Sequence, residues 1–330
     1  MPLSRRLGKI VLGLAVSVGL LVYVFWEVDL RAIAARLRET LWTFLAVSVA
    51  LNFFSLWVRA LRWSYLFPPR THPTHLFRAL MIGYMGNNVL PLRAGELVRV
   101  YVASRHGQPF WTTFATVLVE RVLDGLAVGL VMAGLLLRVP IPAELRWTIV
   151  VFLMADLMGI LVLVAIAVAP GVCRVLIETV FHRIGWLERR LLTMLGTMTE
   201  GLRGVRVPRH AVAITVCSVG LWLLVALSIW TTLHAAHLDL PLTAAWTVLA
   251  FLGLGVSLPS SPGFVGVVQA ATVLALALFS VPRVEALSFS LLFHASQFIP
   301  VTAAGVLYLL LEHVSLTDAA RAGGSQVAER

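Results

Sequence analysis

Charge is scarce in this sequence. Only 13% of its 330 residues are Asp, Glu, Lys or Arg, against about 25% in soluble domains. With 59% apolar residues and a mean hydropathy of +0.92, that deficit excludes an ordinary water-soluble globule. Lysine is almost missing: Lys9 is the single one, and every other basic residue is arginine. The net charge of +10 therefore does not come from a basic tract. The arginines stand mainly at the ends of apolar runs, as topology signals and anionic-lipid contacts do, which argues against nucleic acid as the partner. Cysteine is scarce too. Cys173 and Cys217 form no CxxC and no metal-ligand spacing, so neither a disulfide framework nor a metal site is expected. No GxxxxGK[ST] occurs, which excludes a P-loop. No cofactor is expected.

What is present is apolar sequence in lengths that cross a bilayer core of about 30 Å as helix. Full spans are read at about 9–26, 41–60, 110–137, 146–169, 209–233 and 284–311, with two broken apolar segments at about 76–104 and 243–280. If each broken segment enters and leaves on one side, the basic residues sort 17 against 6, with Arg93, Arg99 and Arg121 left inside the membrane. The excess places both termini in the cytoplasm. Residues 1–315 then form one membrane domain, followed by a disordered cytoplasmic tail at 316–330. The basic, mixed stretch 170–209 is expected to carry an amphipathic helix at the inner interface.

The broken segments share a pattern. Leu90 to Gly95 reads LPLRAG and Leu258 to Gly263 reads LPSSPG, both L-P-x-x-x-G, at an offset of 168 residues. The same offset carries the start of the second span onto that of the fifth, and the start of the third to just before the sixth. Each half, about 1–138 and 146–312, reads span, span, broken hairpin, span. Three crossings per half invert the second half relative to the first. The expected fold is an all-α polytopic membrane protein with an inverted-topology repeat, six full spans and two re-entrant hairpins. Broken helices at matching places are the sequence pointer to a central site in such transporters. Their freed backbone groups are tolerated only inside protein or in a wet cavity, and half-helix N-termini suit an anion.

Charges within the membrane support a site. The third span holds VERVLDGL, with Glu120, Arg121 and Asp124 on neighbouring helix positions. Each costs about 2.5–3.5 kcal/mol at mid-membrane on the insertion scale. With Arg93, Glu96 and Arg99 they make three acids and three bases. Two readings stand: an ion-pair network locking the first hairpin to the third span, and direct contact of an arginine with substrate. In the sixth span His294 and Gln297 are read as a hydrogen-bonded pair beside the Pro300 kink. Asp156, with no basic neighbour in its own span, is the candidate coupling residue, whether protonated, paired across helices or facing water. Arg59 and Arg62 are read as snorkelling to the interface, and Asn52 as a helix–helix hydrogen bond. Trp26, Trp42, Trp63 and Trp147 are read as interface anchors.

GNNVLPLRAGELVRVYV from Gly86, VLVERVLDGL from Val117 and LPSSPGFVGVVQA from Leu258 together resemble the lysylphosphatidylglycerol synthase transmembrane region, a flippase-like integral membrane family. The resemblance covers nearly the whole chain. It implies a bacterial or archaeal inner-membrane protein that handles polar or anionic phospholipids, or polyprenyl- or hopanoid-type lipids. A second copy or a lipid-pathway enzyme is a candidate partner. It carries Asn88, Pro91, Arg93, Gly95, Glu96, Arg99, Glu120, Arg121, Asp124, Pro259, Pro262, Gly263 and Gly266 over as site positions. Ser260, Ser261 and Gln269 join them by their place at the second hairpin, and His294 and Gln297 by their place in the sixth span, which corresponds in the repeat roughly to Arg121 and Asp124. Phe264 stands where the pattern wants a second glycine, and Gln269 where an acid is common. The expected function is a lipid flippase, not an enzyme. The alternatives are an assembly factor of a lipid pathway and a membrane transferase on a lipid-linked substrate.

Overall fold

The computed structural model describes residues 15–26, 28–67, 71–90, 94–137, 143–257 and 261–313. Pro91, Arg93, Pro259 and Ser260, the basic N-terminus and the tail at 316–330 lie outside the described residues. Every regular element among the described residues is helical, as lipid demands of a chain that must satisfy its own backbone. Four helices are long and apolar enough to cross a membrane: α3 (Trp42–Ser64), α7 (Ala143–Val168, apolar from Arg146), α10 (Pro208–Ala235) and α13 (Arg283–Leu311). The protein is a polytopic membrane protein. The 27-residue α6 (Phe110–Leu136) is as long but carries three charges. Helix α1 (Ala15–Phe25) is described only from Ala15, and the short α2 (Leu30–Arg38) follows it, capped by Asp29, whose carboxylate accepts the Arg31 amide at 2.8 Å.

Helices α3 and α10 form the most extensive pairing in the molecule. Ser48 donates to the Ser228 carbonyl at 2.8 Å, and its hydroxyl lies 2.7 Å from that of Thr232, all three buried. Such hydroxyl pairs let two apolar helices recognise each other where lipid supplies no hydrophobic drive. Further along α3 the same face continues as Asn52, Ser55, Arg59 and Arg62, at spacings of three and four.

Both broken segments are helix–break–helix. The first is α4 (Pro73–Val89) and α5 (Gly95–Ser104); the second is α11 (Leu242–Ser257), a single 3-10 turn at Pro262–Phe264, and α12 (Val267–Ala277). At Leu90 the backbone leaves the helix with ψ 142, the extended geometry that a following proline imposes. Helix α5 then returns along α4 so closely that a β-carbon on Gly95 would collide with the Gly83 carbonyl and the Asn87 amide. The second turn needs left-handed backbone: Gly263 has φ 70, Phe264 φ 58 and Gly266 φ 86. Phe264 thus adopts the conformation a glycine would take freely, at a cost of about 1–2 kcal/mol. Gln269 compensates at the next helix start: its Oε1 accepts the Gly266 N–H at 2.7 Å.

Residues 170–201 form two helices, α8 (Pro170–Phe181) and α9 (Gly185–Gly201), and α9 packs on α6. Trp26, Trp42 and Trp147 are exposed, but Trp63 is fully buried and donates its indole N–H to Thr116 at 2.9 Å. Trp63 is therefore a core residue, not an interface anchor. It faces α6 rather than the surface because α6 covers the last turns of α3.

Candidate functional site

The membrane charges gather in one cluster, and α3 joins it. Glu120 and Asp124, one turn apart on α6, face Arg59 and Arg62, one turn apart on α3. Arg59 reaches Glu120 at 2.9 Å and also Asp124, and Arg62 reaches Asp124 at 2.7 Å and Glu120 at 3.7 Å. From α5, Arg99 reaches Glu120 at 3.4 Å and Glu96 at 3.0 Å, with its guanidinium 4.9 Å from the Trp63 ring. Arg121 closes the set on Glu120 at 3.2 Å and Asp124 at 3.5 Å. Arg59 and Arg62 are thus buried network members and do not snorkel; their side chains are 8% and 0% exposed. The correction has a simple cause. At i and i+3 they share the face that packs on α6, and two carboxylates at i and i+4 wait opposite.

Counted over the described residues, the cluster holds four arginines and three carboxylates, so it carries one net positive charge. Arg59 faces both ways. Behind it lie the carboxylates; before it lies a cavity of about 310 Å³, within the roughly 300–1,000 Å³ of small-ligand sites. Asn52, Ser55 and Tyr84 line it beside Arg59, and no carboxylate lines it among the described residues. Trp222 closes another wall, its ring 6.0 Å from the Arg59 guanidinium. The Trp222 indole N–H is buried and without a partner. An unpaired buried donor costs about 1–3 kcal/mol, which a ligand acceptor would recover.

The two broken segments meet at this cavity. The Asn88 carbonyl lies 3.5 Å from where a Gly263 β-carbon would stand, and both residues line the cavity. Asn88 donates its amide to Thr302 on α13 at 2.7 Å. His294 also lines the cavity, but its partner is not Gln297. Gln269 donates to Nδ1 at 2.9 Å, and Nε2 donates to the Gly263 carbonyl at 2.9 Å. Because Gln269 Oε1 is already taken by Gly266, its amide must be the donor, which fixes the imidazole as the neutral Nε2–H form. Gln297 instead donates to Ser296 at 3.3 Å. The imidazole is therefore a strut of the second hairpin.

Of the residues expected at the site, Asn88, Gly263, His294 and Gln297 line the cavity. Glu96, Arg99, Glu120, Arg121 and Asp124 form the wall behind it, and Gly95 holds the first hairpin together. The Ser261 amide N–H donates to the Ser17 hydroxyl oxygen at 3.0 Å, tying the second hairpin to α1; Pro262 opens its 3-10 turn. Asn52 lines the cavity, and its side chain makes no helix–helix hydrogen bond among the described residues. Arg59, Tyr84 and Trp222 went unrecognised in the sequence. For Arg59 the signal was the polar stripe Ser48, Asn52, Ser55, Arg59, Arg62. Asp156 makes no ion pair among the described residues; its carboxylate lies against Gly125 and Gly129 of α6. No group of His, Cys, Asp and Glu suited to a metal occurs among the described residues.

The chain is similar to the glycosyltransferase AglD of Haloferax volcanii, 26% identical over 355 aligned positions. The match takes in 96% of this chain and 57% of that relative, so the chain spans little more than half the relative's length. This finding corrects the expectation that the chain is not an enzyme, because a protein that carries such a region is named for group transfer. No solved structure matches. The family model for the lysylphosphatidylglycerol synthase TM region matches residues 10–305. That range takes in both hairpins and every helix that builds the charge cluster, and on it the chain belongs to that family.

Proposed function

We propose that this domain takes the anionic headgroup of a lipid into the cavity between its two hairpins and moves it across the membrane. The observation that carries the reading is the cavity itself. It joins an arginine, an unpaired indole N–H and the Asn52 and Asn88 side chains, with no opposing carboxylate among the described residues. Neutral donors and one cation are what a phosphodiester needs. The cluster behind Arg59 holds the guanidinium in place, so little side-chain freedom is lost on binding.

The repeat supports the reading. The offset of 168 residues lays α3, α4, α5 and α6 onto α10, α11, α12 and α13 within a few residues. In an inverted arrangement each hairpin would face one side, and rocking about the cavity would expose it alternately. Asp156, unpaired beside the cluster, is the candidate for proton coupling.

The test is translocation of fluorescent phosphatidylglycerol in proteoliposomes, read by quenching from outside. Wild-type protein should move it faster than fluorescent phosphatidylcholine, and Trp222→Phe with Asn52→Ala should lower the anionic rate severalfold. Equal rates for the two lipids would refute selection for a net anionic headgroup, and an anionic rate unchanged by the two substitutions would refute the cavity as its site. A second reading follows from the similarity to a glycosyltransferase: the cavity presents a lipid-linked acceptor for sugar transfer. Incubation with polyprenyl phosphate and a nucleotide sugar, followed by lipid extraction, separates the two by whether a glycolipid forms.

A further inference from the structure

A second, larger cavity lies outside the charge cluster, between α6 and α9. The helices touch where Gly201 rests on Ala115 and Thr116. Beyond that contact they enclose a groove of about 670 Å³. On α6 its wall is Trp111, Phe114 and Leu118, one face at spacings of three and four. On α9 the wall is a stripe, Trp186, Arg190, Met194 and Met198, recurring every four residues, with Arg189 beside it. The stripe is graded: aromatic and cationic at the N-terminal end of α9, thioether and apolar toward its C-terminal end.

The two arginines are the informative part. Elsewhere on the 170–209 segment Arg174 pairs with Glu178 at 2.8 Å and Arg203 with Glu200 at 2.5 Å, while Arg183, Arg206 and Arg209 make no ion pair among the described residues and line no groove of this kind. Arg189 and Arg190 make no ion pair among the described residues, and Glu188 does not line the groove. Two adjacent unpaired guanidiniums at one end of an apolar groove match a molecule with one anionic end and a long apolar body. A tryptophan beside them suits the depth of lipid headgroups, and flexible methionines suit an acyl chain of no fixed shape. We propose that this groove is a binding site for one phospholipid with an anionic headgroup, its phosphate at Arg189 and Arg190 and one acyl chain laid along Met194, Met198 and Phe114. The site is separate from the central cavity and does not depend on transport. By filling the angle between α6 and α9, the bound lipid braces the helix that bears Glu120 and Asp124.

Native mass spectrometry of delipidated protein, titrated with phosphatidylglycerol or phosphatidylcholine, tests the assignment. Both arginines are exposed and unpaired, so Arg189→Gln with Arg190→Gln leaves the fold intact, which size-exclusion elution checks. Near a membrane surface each basic residue strengthens anionic-lipid binding by about fivefold or more. The wild type should retain one phosphatidylglycerol more than the double variant under equal activation, with at least tenfold tighter binding of that lipid. It should also show a thermal stabilisation by phosphatidylglycerol that the variant loses. Retention of the same number of phosphatidylglycerol molecules by both proteins would overturn the proposal. So would equal retention of phosphatidylcholine by the wild type, which would leave the groove a site for any lipid tail.

Discussion

Removing Glu120 should damage this protein more than removing any single arginine it touches. Four guanidiniums converge on this one carboxylate, at 2.9, 3.7, 3.4 and 3.2 Å, and its side chain is fully buried. Glu120→Gln keeps the shape but raises the cluster from one net positive charge to two. It leaves Asp124 and Glu96 to serve four cations. Breaking a buried pair in this way costs about 3–5 kcal/mol, because the desolvated partners lose their counter-charge. Arg59→Gln is the contrast. It brings the cluster to neutrality, and both carboxylates keep Arg62 and Arg121, so about 1–3 kcal/mol is expected, the cost of unmade hydrogen bonds. With roughly 2–4 °C per kcal/mol in large domains, Glu120→Gln should unfold about 6–20 °C lower. Scanning fluorimetry in detergent reads this, ranked against wild type and Arg59→Gln. Adding Arg121→Gln to Glu120→Gln restores the single net charge and should recover part of the loss, a coupling of about 0.5–3 kcal/mol. A midpoint for Glu120→Gln equal to that of the wild type, or no recovery in the double variant, would show that the cluster is hydrated and not held by mutual pairing.

Gly95→Ala should cut folded yield, because the new methyl meets the Gly83 carbonyl, whereas Gly134→Ala, with open space around it, should not; size-exclusion profiles compare them. His294→Leu should destabilise the second hairpin by about 1–3 kcal/mol by orphaning the Gln269 amide and the Gly263 carbonyl, read as faster exchange or proteolysis near 257–266. A pH effect is expected beyond the spans, where Arg78 and His106 hold Glu312 at 2.9 and 3.3 Å and the His75 and His106 rings lie 4.4 Å apart. Burial raises the Glu312 carboxyl, but the Arg78 hydrogen bond and the nearby charges outweigh it and leave it below the usual range. Its stabilisation is complete above about pH 4.5 and disappears as pH falls through the lowered value. Burial, then His106, Arg78 and His72, push His75 down, so the fold favours its neutral ring. That preference begins to oppose folding below about pH 6.5. Melting curves from pH 7.5 to 3 should therefore fall in two stages, and His75→Gln should flatten the upper one.

The membrane class and both breaks were legible in the sequence because lipid leaves few options. Apolar length marks a crossing, and a proline and glycine within such a run mark a break. The shared L-P-x-x-x-G was visible for the same reason. Contacts between segments were harder to see. Arg59, Arg62 and Trp63 sit where a span ends, and interface residues look the same there; only the cover that α6 gives α3 separates a buried guanidinium from a snorkelling one. His294 was paired with its helix neighbour Gln297 because helical spacing is visible in sequence. Its actual partners, Gln269 and Gly263, come from a hairpin 25 and 31 residues away. Phe264 shows the opposite case. The motif wanted glycine there, and the left-handed φ of 58 shows that the backbone still does.

The single excess positive charge of the cluster has a bearing on electrical behaviour. A unit charge that traverses the whole membrane field gains or loses about 2.3 kcal/mol per 100 mV. Here the charges cannot travel singly, since guanidiniums and carboxylates cross-link α3, α5 and α6. If the domain moves lipid as proposed, either all three helices shift together through the field, and turnover depends on membrane potential, or they stand still while the other helices move around them. In the second case a voltage step applied to a reconstituted bilayer would leave the rate unchanged.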